Sequence, residues 1–69
     1  MLSSEIGKII KVRREELGIT QSHLADLAQI SKNTIYKAER GQGNPSLDVL
    51  LKITDVLGME IKLEVKKRI

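Results

Sequence analysis

Residues Thr20 to Arg40 read T-Q-S-H-L-A-D-L-A-Q-I-S-K-N-T-I-Y-K-A-E-R, and the fold turns on this stretch. Leu24, Leu27 and Ala28 recur at helical spacing, break off, and are followed by Ile35 and Ala38 at the same period. Thr20 and Ser31 precede the two apolar sets, where a side-chain oxygen can accept from amides left unpaired in the first turn of a helix. The pattern predicts two short helices joined by a tight turn, with Ile30 packing inward and the helices crossing at a steep angle. The second helix then offers Lys32, Asn33, Tyr36 and Lys37 to solvent.

That outer face has the chemistry of a major-groove reader. Asn forms a bidentate pair with adenine, Lys donates to the acceptors of guanine, and Ser31 and Thr34 can reach phosphates beside the helix N-terminus. Lys32, Asn33 and Lys37 are the leading base-reading candidates. Tyr36, the single aromatic residue of the chain, is a further candidate for a thymine methyl or a phosphate, or else its ring covers the helix surface. With one aromatic there is no stacking platform, which disfavours single-stranded nucleic acid and most RNA modes and favours duplex DNA.

Four spaced motifs fix the identity of this arrangement: T-Q-x-x-L-A at Thr20 to Ala25, I-S-x-x-T-I at Ile30 to Ile35, E-x-G at Glu39 to Gly41 and P-S-x-x-x-L at Pro45 to Leu50. Together they resemble the lambda-repressor-like, Xre/Cro-type helix-turn-helix domains, over about Ile6 to Gly58. The resemblance implies a mainly α fold, a compact bundle of four to five helices. It also implies that Arg14 pairs with Glu39, tying the first helix to the third. It implies further that Gln21 contacts a phosphate and braces the reading helix, and that Arg40, Asn44 and loop amides meet phosphate across the groove. Gln29 departs from the family, which usually has Gly in this turn, so a left-handed backbone there is costlier.

Outward from the motif, Ser3 or Ser4 can cap a first helix running to about Leu17, with Ile6, Ile9, Ile10 and Leu17 on its buried side and Gly18 as its stop. Gly7 within it signals close helix packing, at a cost of about 1 kcal/mol relative to Ala. Lys8, Lys11, Arg13, Glu15 and Glu16 form a mixed-charge outer face, mostly solvating. After the loop 40–44, Pro45 and Ser46 begin a fourth helix with Leu47, Leu50, Leu51, Thr54 and Leu57 inward and Gly58 as its stop.

The ending changes period. Met59, Ile61, Leu63 and Val65 alternate with Glu60, Lys62, Glu64 and Lys66, the repeat of a half-buried strand. A lone strand leaves its amides and carbonyls unpaired, so a β-strand here needs a partner outside the chain, and pairing with its own copy across a two-fold axis supplies one. The chain thus divides into a DNA-binding domain, 1–58, and a dimerisation strand with a basic tail, 59–69. A disordered basic tail is the competing reading. The spacing of Leu50 to Leu63 resembles the HipB-type branch of the family, which implies a shared inter-subunit sheet and an antitoxin role with a kinase-type toxin as partner.

Composition sets the outer bounds. At 69 residues a lone core is marginal without a staple; with no Cys and one His, neither disulfides nor a zinc site provides it, and oligomerisation remains. The charge of +3 and pI near 9.5 suit a polyanion, and Lys32 to Arg40 carries three basic residues against Glu39 alone. No apolar run matches a membrane span, and the N-terminal residues lack a signal-peptide pattern, so a cytoplasmic location is expected. His23 is an exposed residue with no second ligand near it, and no catalytic constellation or cofactor is indicated. The expectation is a repressor binding a pseudo-palindromic operator as a homodimer. The alternative is an interaction module that neutralises or scaffolds a partner protein without specific DNA binding.

Overall fold

The computed structural model describes residues 2–66 and comprises four helices among them: α1 Leu2–Glu16, α2 Gln21–Ala28, α3 Lys32–Glu39 and α4 Leu47–Val56. Capping explains where three of them begin. Thr20, Ser31 and Ser46 have extended backbones, and their hydroxyls accept from the amides of His23, Thr34 and Val49 at 3.0, 3.1 and 3.2 Å. The turn that follows α1 closes at Gly18, whose positive φ lets the amide of Ile19 reach back to the Arg14 carbonyl at 3.3 Å. The turn after α4 closes alike at Gly58, with the Met59 amide on the Thr54 carbonyl at 2.9 Å. Ser3 and Ser4, expected as caps of α1, lie instead within the helix, because it already begins at Leu2.

The core is formed by Ile10, Leu24, Ala25, Ile35, Ala38, Ile53 and Leu57, with Ile6, Ile19, Ile30, Val49, Leu50, Val56 and Met59 packed around it. α3 lies between α1 and α2, and α4 packs on α2. Ile30 turns inward from the α2–α3 connection, as its place in the turn predicts. The connection is made by Gln29, with φ 58° and ψ 44°, while the Ile30 amide bonds to the Ala25 carbonyl at 3.0 Å. α1 approaches the end of α3 so closely that a Cβ on Gly7 would stand 2.4 Å from the Ala38 carbonyl oxygen and 2.6 Å from that of Glu39. Only a hydrogen fits there.

Five residues expected on buried faces are not buried. Ile9, Leu17, Leu27, Leu47 and Leu51 are all exposed. The inward stripe of each helix is narrower than its apolar set: Ile6 and Ile10 fill the α1 side, and Ile9 stands one residue, about 100°, around the helix. In α4, Ile53 and Leu57 take the centre, which leaves Leu47 and Leu51 at the rim.

Beyond Gly58 the chain follows no regular secondary structure through Lys66, and no strand is present among the described residues. A strand exists by virtue of its ladder, and within one copy this segment has nothing to pair with. Met59 is half-buried against the core, Ile61 lies beside α1 and α4, and Leu63 and Val65 are 97 and 99 % exposed. Lys67 and Arg68 of the basic tail lie outside the described residues. No helix among those described is long and apolar enough to cross a membrane.

Candidate nucleic-acid interface

α3 is held from behind and open in front. Ile35 and Ala38 anchor it in the core, while Lys32, Asn33, Tyr36 and Lys37 are all exposed on its other side. Its single acidic residue, Glu39, is 8 % exposed and turned inward. The outer face of the helix therefore carries two lysines, an amide and a phenol, and no negative charge.

The buried carboxylate is fully employed. Arg14 grips it with two parallel bonds, Nε to Oε2 at 2.6 Å and Nη2 to Oε1 at 3.0 Å, and gives its remaining terminal nitrogen to the Ile19 carbonyl at 2.9 Å. The Gln21 amide adds a third bond, Nε2 to Oε1 at 3.0 Å. A planar guanidinium matches a carboxylate in this manner, and charge-assisted pairs of this kind fix orientation as well as distance. The hydrogen bond to Glu39 is the largest influence on Arg14 and pushes its pKa further above the ordinary guanidinium value, against the opposing effect of burial. No buried side-chain polar atom among the described residues lacks a partner. The ends of α1, α2 and α3 are thereby joined at one point.

The residues expected to meet phosphate fall around the two ends of α3. At its N-terminus, the Ser31 hydroxyl accepts from the Thr34 amide and lies 2.7 Å from the Thr34 hydroxyl. Gln21, at the start of α2, is tied instead to the last residue of α3, with one amide hydrogen committed to Glu39 and a second left by its chemistry. At the other end, the Arg40 guanidinium lies over the Tyr36 ring, 5.4 Å from its centre, so Tyr36 forms a bed for an exposed cation in addition to facing outward. Asn44 is exposed and shares a shallow depression with Thr34, Lys37, Gln42 and Gly43. Gln42 belongs to this surface and was not singled out from sequence. Its position follows from its backbone amide, which closes on the Lys37 carbonyl at 2.9 Å, a bond that spacing alone does not announce.

Arg13 stands apart from the mixed-charge face to which its position assigns it. Its Nε donates to the Leu57 carbonyl at 2.9 Å, at the C-terminal end of α4. The contact spans 44 positions, so no local pattern reveals it. His23 is exposed, and no group of three or more His, Cys, Asp or Glu capable of holding a metal occurs among the described residues.

Comparison with known proteins places this geometry. A family model described as helix-turn-helix matches residues 10–63. A protein of Methanocaldococcus jannaschii named for HTH-type transcriptional regulation is 44 % identical over 55 residues, which are 80 % of this chain and 17 % of the relative. An Aeropyrum pernix protein of the same naming is 38 % identical over 52 residues, 75 % of this chain and 16 % of its own. The chain thus spans about a sixth of the length of these archaeal relatives. Among solved structures, the restriction-modification controller protein C.AhdI of Aeromonas hydrophila superposes with a TM-score of 0.79 at 32 % identity, covering 83 % of this chain and 86 % of the controller. The clp gene regulator ClgR of Corynebacterium glutamicum superposes with a TM-score of 0.80 at 25 % identity, covering 86 % and 63 %. With its paired helices, capped turn and outward third helix, the chain belongs to the lambda-repressor-like, Xre-type helix-turn-helix family.

Proposed function

We propose that the chain is a sequence-specific duplex-DNA-binding repressor that occupies a pseudo-palindromic operator as a homodimer. The observation that supports this most is the charge-sorted α3: its one carboxylate is buried and neutralised, while Lys32, Asn33, Tyr36 and Lys37 stand exposed together. Asn33, Lys32 and Lys37 read base edges, with Tyr36 beside them. Gln21, Ser31, Thr34, Arg40 and Asn44 hold phosphates and set the register. Self-pairing of Met59, Ile61, Leu63 and Val65 as an antiparallel ribbon would join two copies and cover side chains that a single copy leaves in water. Two reading helices about 34 Å apart then meet successive major grooves on one face of the duplex.

Two finer readings share this core. The HipB-like spacing of Leu50 to Leu63 supports an antitoxin role with a toxin protein as partner, and the likeness to a restriction-modification controller protein supports a controller-type regulatory role. The alternative of a pure interaction module fits α3 poorly, because its outer face is polar and cationic with no apolar groove.

The two classes of contact separate by substitution. On a duplex enriched from a random pool, Asn33→Ala should narrow the gap between that duplex and random DNA by about 1 to 3 kcal/mol. Arg40→Ala should weaken both alike and lower the slope of log affinity against log salt by about 1. Equal losses on both duplexes for Asn33→Ala would remove base reading from that residue.

A further inference from the structure

We propose that α1 is a splint between the reading helix and the exit of the C-terminal segment, and that Arg13 is the positioning residue at the exit end. The inference rests on the homodimer reading above. Two adjacent arginines of α1 reach two different helices. Arg14 clamps Glu39 at the end of α3, and Arg13 donates Nε to the Leu57 carbonyl, in the residue that precedes Gly58.

Both ends are held by close contacts. At the α3 end, the Gly7 position allows no sliding, since the Ala38 and Glu39 carbonyls already fill the space a methyl would need. At the exit end, the guanidinium lies 3.7 Å from the Cβ position of Gly58, where the positive φ turns the chain out of α4. The Glu16 carboxylate lies 3.6 Å from its Nη1, in a solvent-exposed pair. Met59 then lies in a shallow, largely apolar groove with Ile9, Val12 and Arg13 of the same helix. An arginine at a helix C-terminus satisfies a carbonyl left without an intrahelical partner and complements the negative end of the helix dipole. Here it also fixes the direction in which residues 59–66 leave the domain. In a dimer joined by that segment, this direction sets the distance between the two α3 helices, and so the half-site spacing that the dimer accepts.

Arg13 carries no part of the DNA surface, which makes the role separable. Arg13→Ala removes the contact. Arg13→Gln is the informative companion, because its Nε2 lies the same number of bonds from Cα as the Arg Nε and restores a neutral donor. Each variant and the full wild-type chain is titrated against a duplex enriched by wild type from a random pool, against the same duplex with one or two base pairs inserted between half-sites, and against a single half-site. Sedimentation reports the oligomeric state.

We expect wild type to lose at least tenfold in affinity on a one-base-pair insertion, and Arg13→Ala to lose less than threefold. Half-site affinity and dimerisation should stay within about twofold of wild type, and Arg13→Gln should recover most of the spacing dependence. A dimeric Arg13→Ala that keeps the wild-type spacing dependence would overturn the splint alone. So would a parallel loss of half-site binding in both variants. A monomeric wild type, indifferent to spacing, would overturn the homodimer reading and the splint with it.

Discussion

Gln29 holds a strained backbone position at the end of α2. It is the one non-glycine residue with positive φ among those described, and its left-handed backbone is required for the amides of Gln29 and Ile30 to close onto α2. An L residue there costs roughly 1 to 2 kcal/mol, whereas Gly adopts the conformation freely but gives up about 0.5 to 1 kcal/mol of chain entropy. Gln29→Gly should therefore stabilise the domain by about 0.5 to 1 kcal/mol, visible as a rise of a few degrees in the thermal midpoint, and a fall in that midpoint would show the strain to be relieved in some other way. Arg14 and Glu39 obey a different rule. Because their pair is nearly buried, removing either partner strands the other, which typically costs about 3 to 5 kcal/mol, while the intact pair serves mainly to fix geometry. The raised pKa of Arg14 means that its contribution is fully present below the unfolded guanidinium value and is lost only as pH climbs through the still higher folded value, so it leaves stability flat through the neutral range.

At the scale of elements, α1 is the member that orders the others. Its Gly7 lets it lie against the carbonyl ends of α3, and a methyl group at that position meets backbone, which cannot rotate away. Gly7→Ala gains up to about 1 kcal/mol of helix propensity but forces apart a packed contact worth about 1 to 3 kcal/mol or more. Net destabilisation, measured by urea unfolding, is expected; unchanged or raised stability would mean that α1 and α3 are less closely fitted. Much of this layer is legible in the sequence. The caps at Thr20, Ser31 and Ser46 and the stops at Gly18 and Gly58 are local chemistry, written within one turn of the helix they control. The left-handed turn at Gln29 is visible only through the family resemblance, in which this position usually holds glycine. Burial of individual leucines is less so: Leu27, Leu47 and Leu51 lie close to the apolar stripe, and which side of its edge they take depends on how the neighbouring helix is rotated. The Arg13 bond to Leu57 belongs to a class that no periodicity encodes, since only the assembled fold brings positions 44 apart together.

At the scale of the whole molecule, the C-terminal segment is incomplete by itself. Its alternation is plain in the sequence, yet the single chain gives it no ladder, and Leu63 and Val65 remain in water. Both facts have one physical origin, namely that strand structure requires a second strand. Truncation after Gly58 should convert a dimer into a monomer in sedimentation and weaken operator binding at least a hundredfold, since two linked half-sites gain from effective concentration about 10²-fold or more. A truncated chain that still sediments as a dimer would move the interface to the exposed apolar side chains of α1 and α4. Whether α3 reads base sequence in duplex DNA from a symmetric pair of heads is decided by presenting the full chain with a pool of random duplexes and sequencing what it retains. A homodimer of this kind retains a two-fold symmetric motif whose half-sites are centred about one helical turn, roughly 34 Å, apart. Retention without an enriched motif would contradict base reading by α3.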